Sequence, residues 1–593
     1  MIFGKHINRY YLRYAPWLLF GLLSLTLVDW MQLRIPGLYQ MVINGVNDGA
    51  VTVDGVRVPF DMPFLLTQIC RPMLLIALSM VLGRFLWRFC FFGASLRTVA
   101  DLRSRMFAHA EELSCAYYQK NKVGDLMSLF TNDLVTIDDC FSFGLMMTFD
   151  ALLLGGMAVY RMWRMDPLMT VLSMIPMALL MAASTLVGRV MTKKWDRRQA
   201  AFSRLSDMAQ ESFSGVAVIK AFVKEAREIM AFRAINDENE RANIAFTRTS
   251  VLLRILVSTF VGSVMCVILG YGGYLAWRGT FNAGQLMEFI GYFNAVIWPV
   301  MAVGDLIDMT SQGKASLSRI GQLLDAPVDM VDRPDVQPLP PVRGDIELRH
   351  LTFRYPDGEF DALRDVSFSV RAGENVGIIG KTGCGKTTLV DLLLRTYNVP
   401  DGTVFIDGHD INTVPIRDVR AAAAYLPQDD FLFSDTIGSN IAFADDEAAP
   451  ERIRAAARMA GVDGDISAFP AGYDTVLGER GVTVSGGQKQ RIGIARALLR
   501  DAQILILDDP VSAVDTKTER RILTQLRQTR MGRTTIVIAH RISTVEHMDK
   551  IVFLEDGAVA DVGTHEELCA RCPGYRHMVE LQRLEEEEAD TDA

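Results

Sequence analysis

Long runs of uncharged, apolar residues in the first half of the chain limit most strongly what this sequence can fold into. Two runs, 168–187 and 255–277, each contain about 20 mainly apolar residues, the length that a helix needs to cross the ~30 Å hydrocarbon layer of a bilayer. Four further runs contain charges that a solitary span would tolerate poorly, so we expect them to pack against other helices. These four cover residues 14–43, 72–92, 143–163 and 285–303. The sequence therefore predicts six membrane-spanning helices.

The connectors between the predicted spans alternate between short and long, and only the long ones are rich in basic residues. The connectors 97–142 and 188–254 carry many lysines and arginines, and Lys5, Arg9 and Arg13 precede the first span. Because basic segments stay on the cytoplasmic side, these regions are predicted to be cytoplasmic. An even number of spans returns the remaining chain to that side, which predicts a multi-pass protein of the cell (inner or plasma) membrane.

The second half of the chain contains a glycine-rich loop, GKTGCGKT, at 380–387, between an apolar strand pattern and an apolar helix pattern. In this context backbone N–H groups cradle the phosphates of a nucleotide, Lys386 reaches the β- and γ-phosphates, and the Thr387 hydroxyl coordinates Mg²⁺. The pattern predicts a nucleotide and Mg²⁺ as ligands. The predicted phosphate-binding residues are Gly380, Lys381, Thr382, Gly383, Cys384, Gly385, Lys386, Thr387 and Thr388.

A second apolar strand pattern, ILILD, ends in Asp508 and is followed by a second carboxylate, Asp509. A buried strand that ends in an aspartate can deliver its carboxylate to the Mg²⁺ sphere opposite Thr387. We therefore predict Thr387 and Asp508 as metal ligands.

Between these two motifs lies VSGGQKQR, at 484–491, and with this segment the chain resembles an ABC transporter half over nearly its whole length. Six spans before one nucleotide domain is the exporter arrangement. The resemblance implies a six-helix all-α membrane domain of the type I exporter kind followed by an α/β P-loop domain. The predicted boundaries are 1–325 for the membrane domain, 326–343 for a proline-rich linker and 344–593 for the nucleotide-binding domain.

The resemblance also implies roles for residues outside the glycine-rich loop. Tyr355 stacks on adenine, Gln428 contributes to Mg²⁺ binding and catalysis, and His540 faces the γ-phosphate. TVLGERG, at 475–481, would meet the cytoplasmic connectors, and the SAVD segment ends in Asp515.

The signature residues Ser485, Gly486, Gly487 and Gln488 would bind the γ-phosphate held by another nucleotide domain, because a helix N-terminus favours anions. The chain carries one such domain and no internal repeat, so the resemblance implies a dimer.

Two interruptions of the long connectors resemble the coupling helices of this family. They are YYQKNKVGDLM at 117–127 and SFSGVAVIKAF at 212–222. The alternative is that both are ordinary bends between helices.

Asp509 departs from the family pattern, in which glutamate follows the metal-binding aspartate and polarises the attacking water. A carboxylate shorter by one methylene predicts ATP and Mg²⁺ binding with slow hydrolysis, since misplacement by about 1 Å costs on the order of a hundredfold in rate. Asp509, His540 and Gln428 are the predicted catalytic residues of this ATP-hydrolysing translocase. We therefore predict a heterodimer whose second half-transporter supplies the glutamate.

Cargo and class are left open by the sequence. The favoured hypothesis is export of hydrophobic or amphipathic, multidrug-type compounds, and the alternatives are a homodimeric lipid flippase or an ATP-gated channel or regulatory protein. Asp150 lies within the third span, where an ionised group is costly. One interpretation is that it binds cargo or a proton. The other is that it forms a purely structural pair, for example with Arg84 or Arg88. Cys384, beside Lys386 at a helix N-terminus, is expected to have a lowered thiol pKa.

The net charge of −9 and the acidic C-terminal tail argue against nucleic-acid binding. Membrane lipid is the expected surroundings of the first half of the chain.

Overall fold

The computed structural model describes residues 3–53, 56–478, 481, 484–511 and 516–591. The chain forms two compact units. One comprises residues up to 111 together with 124–325, and the other comprises 112–123 together with the residues from 326 onward.

Long helices build the first unit. In chain order they are α1 (Asn8–Arg13), α2 (Ala15–Gln32), α3 (Ile35–Asp48), α4 (Met62–Phe64), α5 (Arg71–Glu112), α6 (Cys115–Lys120, in the second unit), α7 (Val123–Ser128), α8 (Leu134–Met165), α9 (Pro167–Ser214), α10 (Val216–Ala221), α11 (Glu225–Trp277) and α12 (Ala283–Leu324). Two π-helical segments, Leu65–Cys70 and Leu129–Asp133, precede α5 and α8, and a hairpin of β1 (Ala50–Val53) and β2 (Val56–Pro59) follows α3.

Six helical stretches in the described residues are long and apolar enough to cross a membrane, which confirms the predicted spans. They are Ala15–Asp48, Met62–Glu112, Val123–Met165, Pro167–Ser214, Glu225–Trp277 and Ala283–Leu324. Capping side chains mark the start of two of these helices. Asp166 accepts a hydrogen bond from the Met169 N–H (2.7 Å) at the start of α9, and Asn282 and Gln285 form a reciprocal capping box at the start of α12.

The predicted interruptions of the connectors are also present. The helical stretch breaks after α6, and it breaks again between α9, α10 and α11. Within the first unit, a buried carboxylate ties α12 to the start of α8. Asp133 accepts hydrogen bonds from the Ser316 hydroxyl and from the Arg319 guanidinium, which satisfies a charge that would otherwise be costly to bury.

The second unit contains a six-stranded sheet and a four-stranded antiparallel sheet. The strands are β3 (Ile346–Phe353), β4 (Leu363–Val370), β5 (Asn375–Gly380), β6 (Val404–Ile406), β7 (His409–Asp410), β8 (Ala423–Leu426), β9 (Ile504–Asp508), β10 (Thr534–Ala539), β11 (Lys550–Glu555) and β12 (Ala558–Gly563). The larger sheet has the order β12-β11-β5-β10-β9-β8, and only the β11–β12 pairing is antiparallel. The smaller sheet has the order β4-β3-β6-β7.

The helices of this unit alternate with the strands, as a parallel sheet requires. They are α13 (Lys386–Leu393), α14 (Ile416–Ala422), α15 (Ile437–Ala442), α16 (Pro450–Met459), α17 (Asp463–Ala468), α18 (Gly486–Leu499), α19 (Thr516–Thr529), α20 (Ile542–Val545), α21 (His565–Arg571) and α22 (Pro573–Thr591), with a 3₁₀ turn at Gly472–Asp474. The inner strands are apolar throughout: all residues of β9 and β10 are buried.

Candidate functional site

Three neighbouring parallel strands bring the sequence motifs together. β10 pairs with β5 on one side and with β9 on the other, in parallel register. The carboxyl ends of parallel strands meet at one edge of a sheet, where ligands of α/β proteins bind. The glycine-rich loop follows β5, Asp508 ends β9, and His540 follows β10. The fold therefore collects these three segments at a single edge.

The glycine-rich loop depends on glycines at particular positions. Gly383 and Gly385 have φ angles of +83° and +96°, which residues with a side chain rarely adopt. A Cβ atom at position 380 would lie 2.2 Å from the carbonyl oxygen of Leu554, so this position also excludes a side chain. The resulting loop leads directly into the N-terminus of α13, a favourable location for phosphate oxygens.

Lys386 is almost fully buried at the start of α13, with 5% of its surface exposed. Its ammonium donates hydrogen bonds to the carbonyl oxygens of Gly380 (2.8 Å) and Lys381 (3.0 Å), so the side chain folds back over the loop that precedes it. The cation is thereby positioned at the loop rather than in solvent.

The two predicted metal ligands are in contact. Thr387 Oγ1 donates a hydrogen bond to Asp508 Oδ2 at 2.9 Å, although 121 positions separate these residues. Burial raises the pKa of Asp508, and the hydrogen bond from Thr387 opposes that rise. Two oxygen atoms at this spacing fit Mg²⁺, which takes few protein oxygens and completes its shell with water and phosphate.

Gln428 lies two residues beyond the end of β8, at the edge of the larger sheet beside β9, and is exposed. Its position on the neighbouring strand agrees with a location next to the metal pair, and its proposed role there stays a prediction.

The backbone of Asp509 is held from two sides. Its N–H donates to the carbonyl oxygen of Ile538 in β10 (2.9 Å), and its carbonyl oxygen accepts a hydrogen bond from Gln490 Nε2 (2.7 Å). The φ angle of Asp509 is +51°, in the left-handed region that aspartate and asparagine adopt more readily than other residues with side chains. These contacts fix the backbone from which the second carboxylate extends.

Gln490 was not among the predicted site residues. It is 5% exposed and belongs to α18, the helix that begins at the signature loop. The signal was present, since Gln490 lies within VSGGQKQR, but its contact with Asp509 depends on the packing of α18 beside β9.

His540 lies at the end of β10. Burial lowers the pKa of His540, and the positive charge of Lys386 lowers it further. The nearby carboxylates of Asp509 and Asp508 oppose this lowering. The backbone carbonyl oxygen of His540 accepts a hydrogen bond from Gln582 Nε2 of α22 (2.7 Å). This bond connects the segment after β10 to α22.

Tyr355 follows β3 and is half-buried. Its hydroxyl shares a hydrogen bond with Thr388 Oγ1 (2.8 Å), and its ring lies edge-on to Tyr397 with centroids 5.2 Å apart. This orientation places an aromatic ring beside the first turn of α13, next to the phosphate-binding loop.

The signature residues begin α18. Ser485 is the N-cap: its side chain accepts a hydrogen bond from the Gln488 N–H (3.3 Å), and Gln488 Oε1 accepts one from the Ser485 N–H (3.0 Å). Ser485 and Gly486 are exposed, so the first turn of the helix is accessible.

The expectation of a low thiol pKa for Cys384 is wrong. Only 4% of Cys384 is exposed, and burial raises its thiol pKa, while Lys386, whose ammonium lies 3.8 Å from Sγ, opposes that rise. At this position the cost of desolvating the thiolate raises the pKa more than the neighbouring Lys386 cation lowers it.

Some predicted features lie outside the described residues: Asp515, and Glu479 and Arg480 of TVLGERG. Of the first predicted coupling segment, residues 117–123 belong to the second unit and 124–127 to the first. Ala116 of α6 packs against the core that contains β3 and α13, and the Gln119 side chain hydrogen bonds to Tyr397.

Comparisons with known proteins agree with this architecture. Residues 18–300 match the ABC transporter transmembrane region, and residues 363–512 match the ABC transporter family model. The chain is 34% identical to the probable multidrug resistance ABC transporter ATP-binding/permease protein YheI of Bacillus subtilis (strain 168), over 98% of this chain and 97% of that protein. It is 34% identical to the multidrug resistance-like ATP-binding protein MdlA of Escherichia coli (strain K12), over 95% and 93% of the two chains.

A further relative is the ATP-dependent lipid A-core flippase of Syntrophus aciditrophicus (strain SB), with 36% identity over 83% of this chain and 81% of that protein. Among solved structures, a bacterial Atm1-family ABC exporter with ATP bound superposes with a TM-score of 0.76 and 27% identity, over 97% of this chain and 99% of the other. The chain therefore belongs to the ABC transporters: it is a multi-pass membrane exporter with a cytoplasmic ATP-binding domain, an ATPase coupled to transport.

Proposed function

We propose that this chain is the slowly hydrolysing half of a heterodimeric exporter of hydrophobic or amphipathic compounds. The observation that carries the proposal is Asp509, which occupies the position next to the metal-site carboxylate Asp508. Its backbone is fixed by hydrogen bonds to Ile538 and from Gln490. A fixed backbone cannot move to compensate for a shorter side chain.

The missing methylene withdraws the carboxylate by about 1 Å from the place that a glutamate would reach, and such a misplacement at a reacting centre costs on the order of a hundredfold in rate. The remaining parts of the proposed site are present. Lys386 and the loop 380–388 bind the phosphates, Tyr355 contacts the adenine, and His540 hydrogen bonds to the γ-phosphate. This half therefore retains ATP.

Thr387 and Asp508 are the residues that would hold Mg²⁺ in this site, with Gln428 completing the sphere. When bound, the ion neutralises charge on the β- and γ-phosphates and orients them. The contribution of the chain itself is to place these two oxygen atoms 2.9 Å apart at the start of α13.

A homodimer would carry the same short carboxylate at both sites, so it would hydrolyse ATP slowly at both. A partner half-transporter with glutamate at the matching position resolves this difficulty. The intact, exposed N-terminus of α18 supports this assignment, because Ser485, Gly486, Gly487 and Gln488 can complete the partner's site in trans.

The first experiment tests the partnership. A tagged version of this chain is purified from membranes of its own host in mild detergent, and associated proteins are identified by mass spectrometry. We expect a second ABC half-transporter with glutamate at the position that matches Asp509. Recovery of this chain alone, as an ATPase with full activity, would contradict the proposal.

The second experiment tests the two carboxylates in the purified heterodimer. Asp509→Asn preserves the left-handed backbone preference and removes only the charge, so most of the steady-state ATPase activity should remain. The glutamate-to-glutamine change in the partner should abolish it. Equal loss from the two changes would mean that Asp509 is itself the working general base.

Asp509→Glu is the matched gain-of-function variant. Its added methylene should speed single-turnover hydrolysis at this site, while the φ angle of +51° costs a glutamate about 1 kcal/mol. The rate gain should therefore come with a slightly lower unfolding temperature, and a lower temperature without a rate gain would refute the argument from reach.

The second candidate is a homodimeric lipid flippase, which the 36% identity to a lipid A-core flippase supports. The two candidates differ in stoichiometry and in cargo. Reconstituted protein that moves labelled lipid between leaflets without a second half-transporter would favour the flippase. Export of a lipophilic dye that requires both halves would favour the heterodimer.

A further inference from the structure

An acidic pair lies inside the first unit, away from the nucleotide site. Asp29 belongs to α2 in the first span, and Asp150 belongs to α8 in the third span. The two carboxyl groups are close enough to share a hydrogen bond. The sequence suggested that Asp150 pairs with Arg84 or Arg88. In the structure Asp150 interacts with Arg84 and also contacts the carboxyl group of Asp29.

Asp29 is the buried member of the pair. Only 2% of its surface is exposed, and its Oδ2 atom is inaccessible and lacks a hydrogen-bond partner within the part of the chain that the structure describes. A buried carboxylate oxygen without a donor is costly, and more so at the depth of a membrane. The position therefore calls for a proton or another cation.

Asp150 is the accessible member. Its Oδ2 atom accepts a hydrogen bond from the Trp298 indole N–H of α12 (2.9 Å), and Trp298 is 47% exposed. Asp150 thus joins the third span to the sixth as well as to the first. A small ligand can reach the pair from the Asp150 side.

Within the described part of the chain, the cation that faces both carboxyl groups is Arg84 of α5. Its guanidinium donates a hydrogen bond to Gln32 Oε1 (3.4 Å), and its side chain is exposed. Arg84 offsets part of the negative charge without supplying a hydrogen bond to Asp29 Oδ2. Two bare carboxylates in hydrogen-bond contact would still repel each other strongly in surroundings of low dielectric constant.

The burial of Asp29 decides which cation fits. A lipophilic organic cation is too large to reach an oxygen with no accessible surface. A metal ion such as Ca²⁺ or Mg²⁺ needs about six oxygen ligands, so two carboxyl groups would hold it only together with several waters, and the inaccessible Asp29 Oδ2 leaves no room for them. A proton has no such requirement, and it converts the repulsion into an O–H···O hydrogen bond.

We propose that Asp29 and Asp150 form a proton-binding site that holds the first and third spans together, and that Trp298 of the sixth span orients Asp150. With the proton bound, the pair holds α2 against α8. Loss of the proton leaves two carboxylates in contact and separates the helices. This site does not depend on the nucleotide-site assignment or on the heterodimer.

Infrared spectroscopy of the full-length protein in lipid nanodiscs tests the site directly. A protonated carboxylic acid has a C=O stretching band that carboxylates and amides lack. We expect Asp29→Asn and Asp150→Asn each to remove about one carboxylic-acid absorbance per chain from the spectrum near pH 7. Asp305→Asn, which changes an exposed aspartate on α12, should leave the spectrum unchanged.

The same band should disappear from the unmodified protein as the pH is raised, and the apparent unfolding temperature should fall over the same range. Asp29→Asn should lack this fall, because its amide can donate to Asp150 at every pH. Labelled-ATP crosslinking to each variant reports that the nucleotide site is intact. If Asp29→Asn does not fold, Asp150→Asn and the pH titration of the unmodified protein decide the question.

Two results would overturn the proposal. The first is a carboxylic-acid band in the unmodified protein that neither aspartate variant reduces. The second is an unfolding temperature of Asp29→Asn that falls with pH in parallel with that of Asp305→Asn. Either result would mean that both carboxyl groups are ionised and that Arg84 alone balances them.

Discussion

Asp430, two residues beyond Gln428, offers a quantitative test of how the second unit is packed. Burial raises the pKa of Asp430 from 3.8 to about 7, against the opposing charges of Lys489 and Arg496. Its carboxylate lies against Gly493 of α18: a Cβ atom added there would be 2.6 Å from Asp430 Oδ1. The segment after β8 thus contacts the helix that begins at the signature loop.

The sign of the pH effect follows from the raised pKa. The unfolded chain releases the Asp430 proton above about pH 4, whereas the folded protein retains it to about pH 7. Stability is therefore lost as the pH rises between these values and then levels off. Since one pKa unit corresponds to about 1.36 kcal/mol, the cost to the folded state is about 2 kcal/mol at pH 5 and about 4 kcal/mol at pH 8.

Asp430→Asn mimics the protonated form at every pH, so it should stabilise the protein more at pH 8 than at pH 5. For a unit of this size, about 2 to 3 kcal/mol of additional stabilisation corresponds to about 5 to 10 °C in the unfolding temperature. The assay is thermal unfolding of the full-length protein at both pH values. Asp446→Asn, which changes an exposed aspartate that does not contribute to the raised pKa of Asp430, is the control. An equal shift for Asp430→Asn at the two pH values would refute the reasoning.

Three further predictions concern the nucleotide-binding unit. Lys386→Ala should weaken photocrosslinking of labelled ATP to this chain, because it removes the side-chain cation held at the loop by Gly380 and Lys381; unchanged labelling would contradict the loop assignment. Cys384 should react slowly with maleimide near pH 7, since it is buried and its thiol pKa is raised, and faster labelling than that of exposed Cys115 by mass spectrometry would contradict the observed burial. Gly493→Ala should lower the unfolding temperature, because its Cβ collides with Asp430 and with Leu426 Cδ1 at 2.7 Å and overpacking of this kind costs about 1 to 3 kcal/mol. Gly464→Ala, which has open space around it on α17, should not lower it, and equal effects of the two alanines would exclude the collision as the cause.

Much of the architecture could be predicted from local sequence. Spans need about 20 apolar residues in a row, and the phosphate loop needs glycines at fixed spacing followed by a helix; both patterns lie within short windows. The six spans were predicted on these grounds and are confirmed, and the exporter arrangement, which the family resemblance implied, is confirmed by the comparisons. The prediction that Asp508 and Thr387 meet also depended on a strand-and-loop pattern, and the structure places them in contact.

The features that only the tertiary structure decided are those that depend on burial or on contacts between distant segments. Cys384 and Lys386 are neighbours in sequence, yet whether the cation or desolvation dominates the thiol depends on how tightly the loop packs against Leu554 and β5. Likewise Gln490 reaches Asp509 only because α18 packs beside β9. No local pattern encodes these distances.

The pair of Asp29 and Asp150 in the first unit shows the same difference between what the sequence predicts and what the tertiary structure decides. The sequence analysis singled out Asp150 as a carboxylate within a span, where an ionised group is costly, and Asp29, which also lies within a predicted span, was not singled out. The sequence could not determine that Asp150 faces Asp29, because helix rotation and packing between spans set which side chains meet. The fold brings the two carboxyl groups together and buries one of them, and this arrangement makes a shared proton the physical consequence.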